Sequence, residues 1–141
     1  MDEDAKLAHG TAAWFRMVGN VMRDAALQAN LPPDTRVSLV ERYTDGIELA
    51  PGLVQGLRFE IADGRPAFRV GARPDELADI VIEVTKAASH RLNTLYGADP
   101  AFQAAFAGFQ RSGALKVTGA LSELGDWFGA VHDRIVDRTR R

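Results

Sequence analysis

From about Asp4 to Asn30 the apolar positions recur every three to four residues, with Trp14, Val18, Val21, Met22 and Ala25 on one side of a helical wheel. The spacing predicts an N-terminal helix over 1–31. Gly10 and Gly19 each weaken it by about 1 kcal/mol relative to alanine. Pro32-Pro33 ends it, because the residue before a proline is pushed out of the helical region.

The period then falls to two. Arg36 to Thr44 reads as a strand closed by Asp45-Gly46, and Leu57 to Ile61 alternates apolar with charged residues. Asp63-Gly64 is a hairpin signal, Ala67 to Val70 returns from it, and Asp79 to Val84 forms a further strand. Together these predict a four-stranded meander over 36–84.

Two helices are expected over 86–112. Thr85 caps the first, which runs to about Tyr96 and is ended by Gly97; Asp99-Pro100 opens the second. Phe102, Ala105, Phe106 and Phe109 follow at i, i+3, i+4 and i+7. A fifth strand is expected at 114–118. A C-terminal helix over 121–138 presents Leu121, Leu124, Phe128, Val131 and Ile135 on one face.

Leu57, Phe59 and Ile61 share a sheet face, as do Phe68 with Val70, Ile80 with Ile82 and Val84, and Leu115 with Val117. Arg58, Glu60, Arg69, Glu83 and Lys116 alternate with them. One dry face and one wet face mark an antiparallel type of sheet. The fold class is therefore α+β: a five-stranded, mainly antiparallel sheet with helices over one face, in a single domain spanning 1–141.

Charge and composition narrow the function classes. Seventeen Lys+Arg against 19 Asp+Glu gives a net charge of -2, which offers no global attraction to nucleic acid or to an anionic membrane. The absence of cysteine removes disulfides, Cys-based zinc sites and a thiol nucleophile. No apolar run approaches the ~20 residues of a membrane span, so no stable membrane insertion is expected. The acidic start Met1-Asp-Glu-Asp argues against a presequence, and a cytoplasmic protein is expected.

Catalytic and metal motifs are sparse. His9, His90 and His132 lack metal-ligand spacing, and His132 reads as a residue near a helix C-terminus. Ser38, Ser89, Ser112 and Ser122 lie outside any Gly-x-Ser-x-Gly turn, and no phosphate-cradling glycine motif occurs. Glu41, Asp45 and Glu48 read as carboxylates of a solvated turn. Arg134, Arg138, Arg140 and Arg141 read as a basic helix end with a frayed tail, or as an anion contact. The cluster of Phe102, Phe106, Phe109, Trp127 and Phe128, beside Gly108, Gly113, Gly125 and Gly129, fits either a filled core or a ligand space.

The order of motifs adds information. Leu57 to Gly71 forms a strand, an Asp-Gly turn and a strand; Ala78-Asp79 precedes the next strand; Leu95-Tyr-Gly97, Asp99-Pro-Ala-Phe-Gln-Ala-Ala-Phe106 and Gly113-Ala-Leu-Lys-Val-Thr-Gly119 follow. In this order the chain resembles the sterol carrier protein-2 (SCP2) family, as a bacterial-type stand-alone member, over about residues 36 to 131. It departs from that pattern in a longer stretch between Phe106 and Gly113, and in ending on Thr139-Arg-Arg141 without a peroxisomal address.

The resemblance implies an SCP2-like sheet and helices enclosing a hydrophobic pocket, with no catalysis, no cofactor and no metal. The expected activity is non-catalytic carriage or transfer of an apolar ligand of the fatty acid, acyl-CoA, sterol or polyprenyl type. Phe59, Phe68, Ile82, Leu92, Leu95, Phe102, Phe106, Phe109, Trp127 and Phe128 are the candidate ligand-binding residues. Two alternatives stay open. One is an accessory or catalytic subunit for a hydrophobic substrate, with His132 and Asp133, or Glu41 and Tyr43, as acid–base groups. The other is an interaction domain with a filled core, whose N-terminal helix docks a second copy or an enzyme through Trp14, Phe15 and Val18.

Overall fold

The computed structural model describes residues 6–141. After a short strand β1 (Leu7–Ala8), Thr11 caps α1 (Ala12–Gln28) by accepting a hydrogen bond from Trp14 N at 3.1 Å. The start expected for this helix includes residues 1–5, which lie outside the described residues. Gly10, at φ 85°, and the Thr11 cap place the true start at Ala12. Trp14, Phe15, Met17, Val18, Val21, Met22, Ala25 and Ala26 make a buried stripe along α1.

The strands are β2 (Val37–Tyr43), β3 (Glu48–Ala50), β4 (Leu53–Ala62), β5 (Arg65–Ala72), β6 (Ile80–Val84) and β7 (Leu115–Thr118). They form one mixed sheet of six strands, one more than expected, because β3 pairs with the first residues of β4. The pairings β2–β4, β4–β5 and β6–β7 are antiparallel. The expected meander does not form. β6 joins parallel to β2, in register from Leu39↔Ile80 to Tyr43↔Val84, instead of following β5.

The crossover that carries the chain there is pinned to the wet face. Arg42 donates to the Glu76 carbonyl at 2.8 Å, Arg58 pairs with Glu76 at 3.2 Å, and Arg69 also binds the Glu76 carboxyl. Burial alone would raise the Glu76 carboxyl, but hydrogen bonds from Arg69 and the Arg73 N–H, with the charges of Arg69 and Arg58, hold it below its ordinary range.

On the dry side, Leu39, Leu57, Phe59, Ile61, Ile80, Val84 and Leu115 are buried against the helices. Gly19 lies where α1 meets β5. A Cβ built there would come within 2.3 Å of the Phe68 ring, so the glycine lets that ring seat against the helix. Arg23 covers the same ring from 5.4 Å.

α2 (Lys86–Leu92) is capped by Thr85 and is shorter than expected: Asn93 turns its side-chain amide back to the Ser89 carbonyl at 2.8 Å and ends it. α3 (Pro100–Ser112) starts at the Asp99 cap and stops at Gly113, which takes a left-handed conformation.

The expected helix over 121–138 is broken. Two 3₁₀ turns (Leu121–Leu124 and Asp126–Ala130) flank Gly125 at φ 114°, ψ 170°, a conformation that a helix cannot contain. Only α4 (Val131–Asp137) is α-helical. Beyond it the chain does not fray: β8 (Thr139–Arg140) pairs in parallel with β1. The buried Trp14 Nε1 donates to Thr139 Oγ1 at 2.9 Å, and Thr139 Oγ1 donates to the Ile135 carbonyl at 2.6 Å. The β1–β8 pair is thereby fastened to α1.

Candidate functional site

A cavity of about 290 Å³ lies between the dry face of the sheet and the helices. Its floor is Leu39 and Glu41 of β2, Leu57 of β4, Ile82 and Val84 of β6 and Leu115 of β7. Val18 and Met22 of α1 and Ser89, Leu92 and Asn93 at α2 form one side. Phe102 and Phe106 of α3, Leu121, Phe128, Val131, His132 and Ile135 close the rest. The Phe102 ring stands 6.1 Å from Phe106 and 4.6 Å from the His132 ring, centroid to centroid. Apart from Glu41, Ser89, Asn93 and His132 the lining is apolar. Its size falls near the lower end, about 300 Å³, of small-molecule pockets.

Of the residues expected to bind a ligand, Ile82, Leu92, Phe102, Phe106 and Phe128 line this cavity. The others lie elsewhere. Phe59 is fully buried against Trp127, with ring centroids 5.7 Å apart. Phe68 is taken up by Gly19 and Arg23. Leu95 is buried and offers its carbonyl to His132 at 2.7 Å. Trp127 donates its indole N–H to the Leu124 carbonyl at 2.7 Å, and Phe109 packs on the core one turn beyond the cavity-facing rings. The glycines at 108, 113, 125 and 129 do not line the space.

Two polar expectations change. His132 stands in the first turn of α4, not near a helix C-terminus, because the preceding residues form 3₁₀ turns. Its neighbour Asp133 turns outward to accept from Gly97 N at 2.8 Å. Glu41 belongs to no solvated turn: it sits on β2 between Leu39 and Tyr43, on the dry face, and opens onto the cavity. Asp45 does lie in the turn, where it accepts from Lys86 N at 2.8 Å.

Glu41 lines the cavity, keeps part of its surface accessible, and has no hydrogen-bond or ion-pair partner among the described residues. Burial pushes its carboxyl up to about 7. Nearby, His9 Nε2, Tyr43 Oη and Ser89 Oγ form a triangle with sides of 2.9, 2.9 and 3.0 Å. Burial, aided by the neighbouring His90, lowers His9 to about 4, so it is neutral near pH 7 and shares a proton network with the two hydroxyls through Nε2. Burial and the Glu41 charge raise the Tyr43 phenol well above its ordinary value.

Sequence reasoning missed the β2 and α1 contributions, and the signal for the first was present. Val37, Leu39, Glu41 and Tyr43 alternate on one side of a strand, which places the carboxyl on the apolar face. Among the described residues no group of three or more His, Asp or Glu side chains is arranged to hold a metal ion, and no helix is long and apolar enough to cross a membrane.

No family model matches the chain, and no curated protein matches it. Among solved structures, a double mutant of the sec-alkyl sulfatase PisA1 from Pseudomonas sp. is 19% identical with a TM-score of 0.39 over 67% of this chain; the match spans 12% of that enzyme's length. UbiJ-SCP2, a ubiquinone synthesis protein, is 14% identical with a TM-score of 0.48 over 89% of each chain. Sterol carrier protein 2 from Yarrowia lipolytica in its apo form is 14% identical with a TM-score of 0.42, covering 97% of this chain and 98% of its own. Several of the solved structures that this chain resembles over most of both lengths are thus SCP2 domains.

Proposed function

We propose that this protein binds a single-chain, lipid-like molecule in the cavity between sheet and helices and carries it without chemical change. The observation that supports this most directly is an almost wholly apolar space of about 290 Å³ inside a domain of ordinary size. At the ~30 Å³ that one water occupies in the liquid, that is room for about ten heavy atoms. An acyl or alkyl chain of that length fits; a four-ring sterol exceeds it. Burying ten methylenes at about 0.8 kcal/mol each gives a gross ~8 kcal/mol, from which immobilisation subtracts.

α3 provides the access route. None of its residues is fully buried, although Phe102 and Phe106 face the cavity, so it is held less firmly than α1. Native mass spectrometry of freshly purified protein tests the proposal: an adduct of alkyl or acyl mass should be retained, and Phe106→Ala should weaken its retention. A protein that carries no adduct and takes up no alkyl probe would refute it.

One arrangement favours a hydrolytic reading, namely Ser89 Oγ at 3.0 Å from His9 Nε2 beside the cavity. The environment works against it. A histidine lowered to about 4 is a weak base for deprotonating serine near neutral pH. The serine hydroxyl is also engaged by Tyr43. Hydrolysis of a p-nitrophenyl ester that is lost in Ser89→Ala would favour hydrolysis over carriage.

A further inference from the structure

Resting on the carrier reading above, a more specific property follows from Glu41. Glu41 lies in the middle of β2, paired on one side with Leu57 and on the other with Ile82, and lines a space whose other walls are apolar except at Ser89, Asn93 and His132. Its carboxyl accepts no hydrogen bond from any described residue, and no lysine or arginine lines the cavity. A buried carboxyl without a partner is costly, and a donor supplied from within the cavity removes that cost.

His132, on the opposite wall, gives its Nε2 proton to the Leu95 carbonyl at 2.7 Å, so in its neutral form the other ring nitrogen is an acceptor as well. Ser89 and Asn93 are committed to each other and to Tyr43 and His9. The polar groups of the lining therefore present acceptors to a ligand, and no lysine or arginine among them offers a cation to an acid.

We infer that the cavity selects amphiphiles whose buried polar group donates a hydrogen bond to the Glu41 carboxyl, namely long-chain alcohols and amines, and disfavours fatty acid carboxylates. A ligand carboxylate beside Glu41 would place two negative charges in an apolar space, where like charges repel strongly. A hydroxyl or ammonium instead makes a charge-assisted hydrogen bond to it.

The test is calorimetric titration of the delipidated protein at pH 8 with decanol, decylamine and decanoate, repeated with Glu41→Gln. The native protein should bind decanol and decylamine at least about tenfold more tightly than decanoate, which is the effect of one hydrogen bond to a charged group. Glu41→Gln should narrow that gap to about threefold or less. A stronger preference for the amine identifies the ammonium as the favoured donor, and equal or tighter binding of the alcohol identifies the hydroxyl; either supports the inference.

Equal binding of all three probes by the native protein would overturn the inference and leave the carrier reading standing. Binding of none of them by folded protein would overturn both. The comparison among probes on the native protein needs no variant, so a poorly folding Glu41→Gln does not remove the test.

Discussion

Replacing Glu41 by glutamine should change how stability depends on pH in a way set by two buried groups. The folded Glu41 carboxyl keeps its proton up to about 7, whereas the unfolded one gives it up near 4.5. Between those values the native state binds more protons than the unfolded state. Its stability therefore falls as pH rises through that window and levels off above it. At 1.36 kcal/mol per pH unit the loss amounts to roughly 3 kcal/mol.

His9 works in the opposite sense. Its folded value of about 4 lies below 6.5, so the unfolded state binds more protons between them, and stability rises as pH climbs through that window, by less than the Glu41 change because solvent screens the partly exposed His9. Over the shared range the two slopes oppose each other, and His9 offsets part of the Glu41 dependence in the native protein. Tyr43, which lies beside both groups, is raised well above its ordinary value and stays protonated throughout.

Glu41→Gln removes one slope and leaves the other. Its stability relative to the native protein should therefore grow by about 3 kcal/mol between pH 4.5 and pH 8, equivalent to roughly 6–12 °C in Tm for a domain of this size. Urea unfolding of delipidated protein, followed by tryptophan fluorescence at half-unit pH steps, measures it. Parallel profiles for the two proteins would refute the claim that Glu41 is desolvated in the folded state.

Two further substitutions probe the frame around the cavity. Thr139→Val removes the acceptor of the buried Trp14 N–H and should cost about 1–3 kcal/mol in urea unfolding; a smaller loss than for an exposed control such as Thr44→Val would show that the C-terminal strand is not a fastening. Gly19→Ala should gain up to about 1 kcal/mol of helix propensity and lose about 1–3 kcal/mol where the new methyl meets Phe68, for a net loss of stability. A rise in Tm would mean that the Phe68 ring moves aside at little cost.

Periodicity carried most of the fold because it reports which face of an element is dry. It located the body of α1, the turn between β4 and β5, and β7, while the start of α1 and the length of β4 differ from expectation. It failed where non-local pairing decides the outcome. Nothing local distinguishes a strand that continues a meander from one that crosses under a loop to lie parallel to β2, and the Glu76 clamp that holds the crossover joins residues far apart in sequence. The last helix failed for a different reason: its apolar spacing is helical, but Gly125 adopts a backbone conformation that interrupts it. Half of the expected cavity lining went into the core because aromatic spacing marks a buried stripe without telling whether that stripe meets protein or space, as Phe59 and Phe102 show on opposite sides of the same interior.

Among the places where local pattern and fold disagree, Glu41 on the dry face of β2 is the one that costs stability most directly. A carboxyl among Leu39, Leu57, Ile82 and Tyr43 works against folding above its own pKa, and no neighbouring cation offsets it. Leucine at position 41 would continue the face and fill part of the cavity. Evolution toward stability alone would favour that exchange, since the cost of the carboxyl is a few kcal/mol out of the ~5–15 kcal/mol by which domains are stable. A state in which the carboxyl has a partner would account for its presence, and the cavity it lines offers space for one. Selectivity and instability at pH 8 then have one origin: a ligand that donates to Glu41 should stabilise the protein more at pH 8 than a plain alkane of equal length, while in Glu41→Gln the two should stabilise it alike.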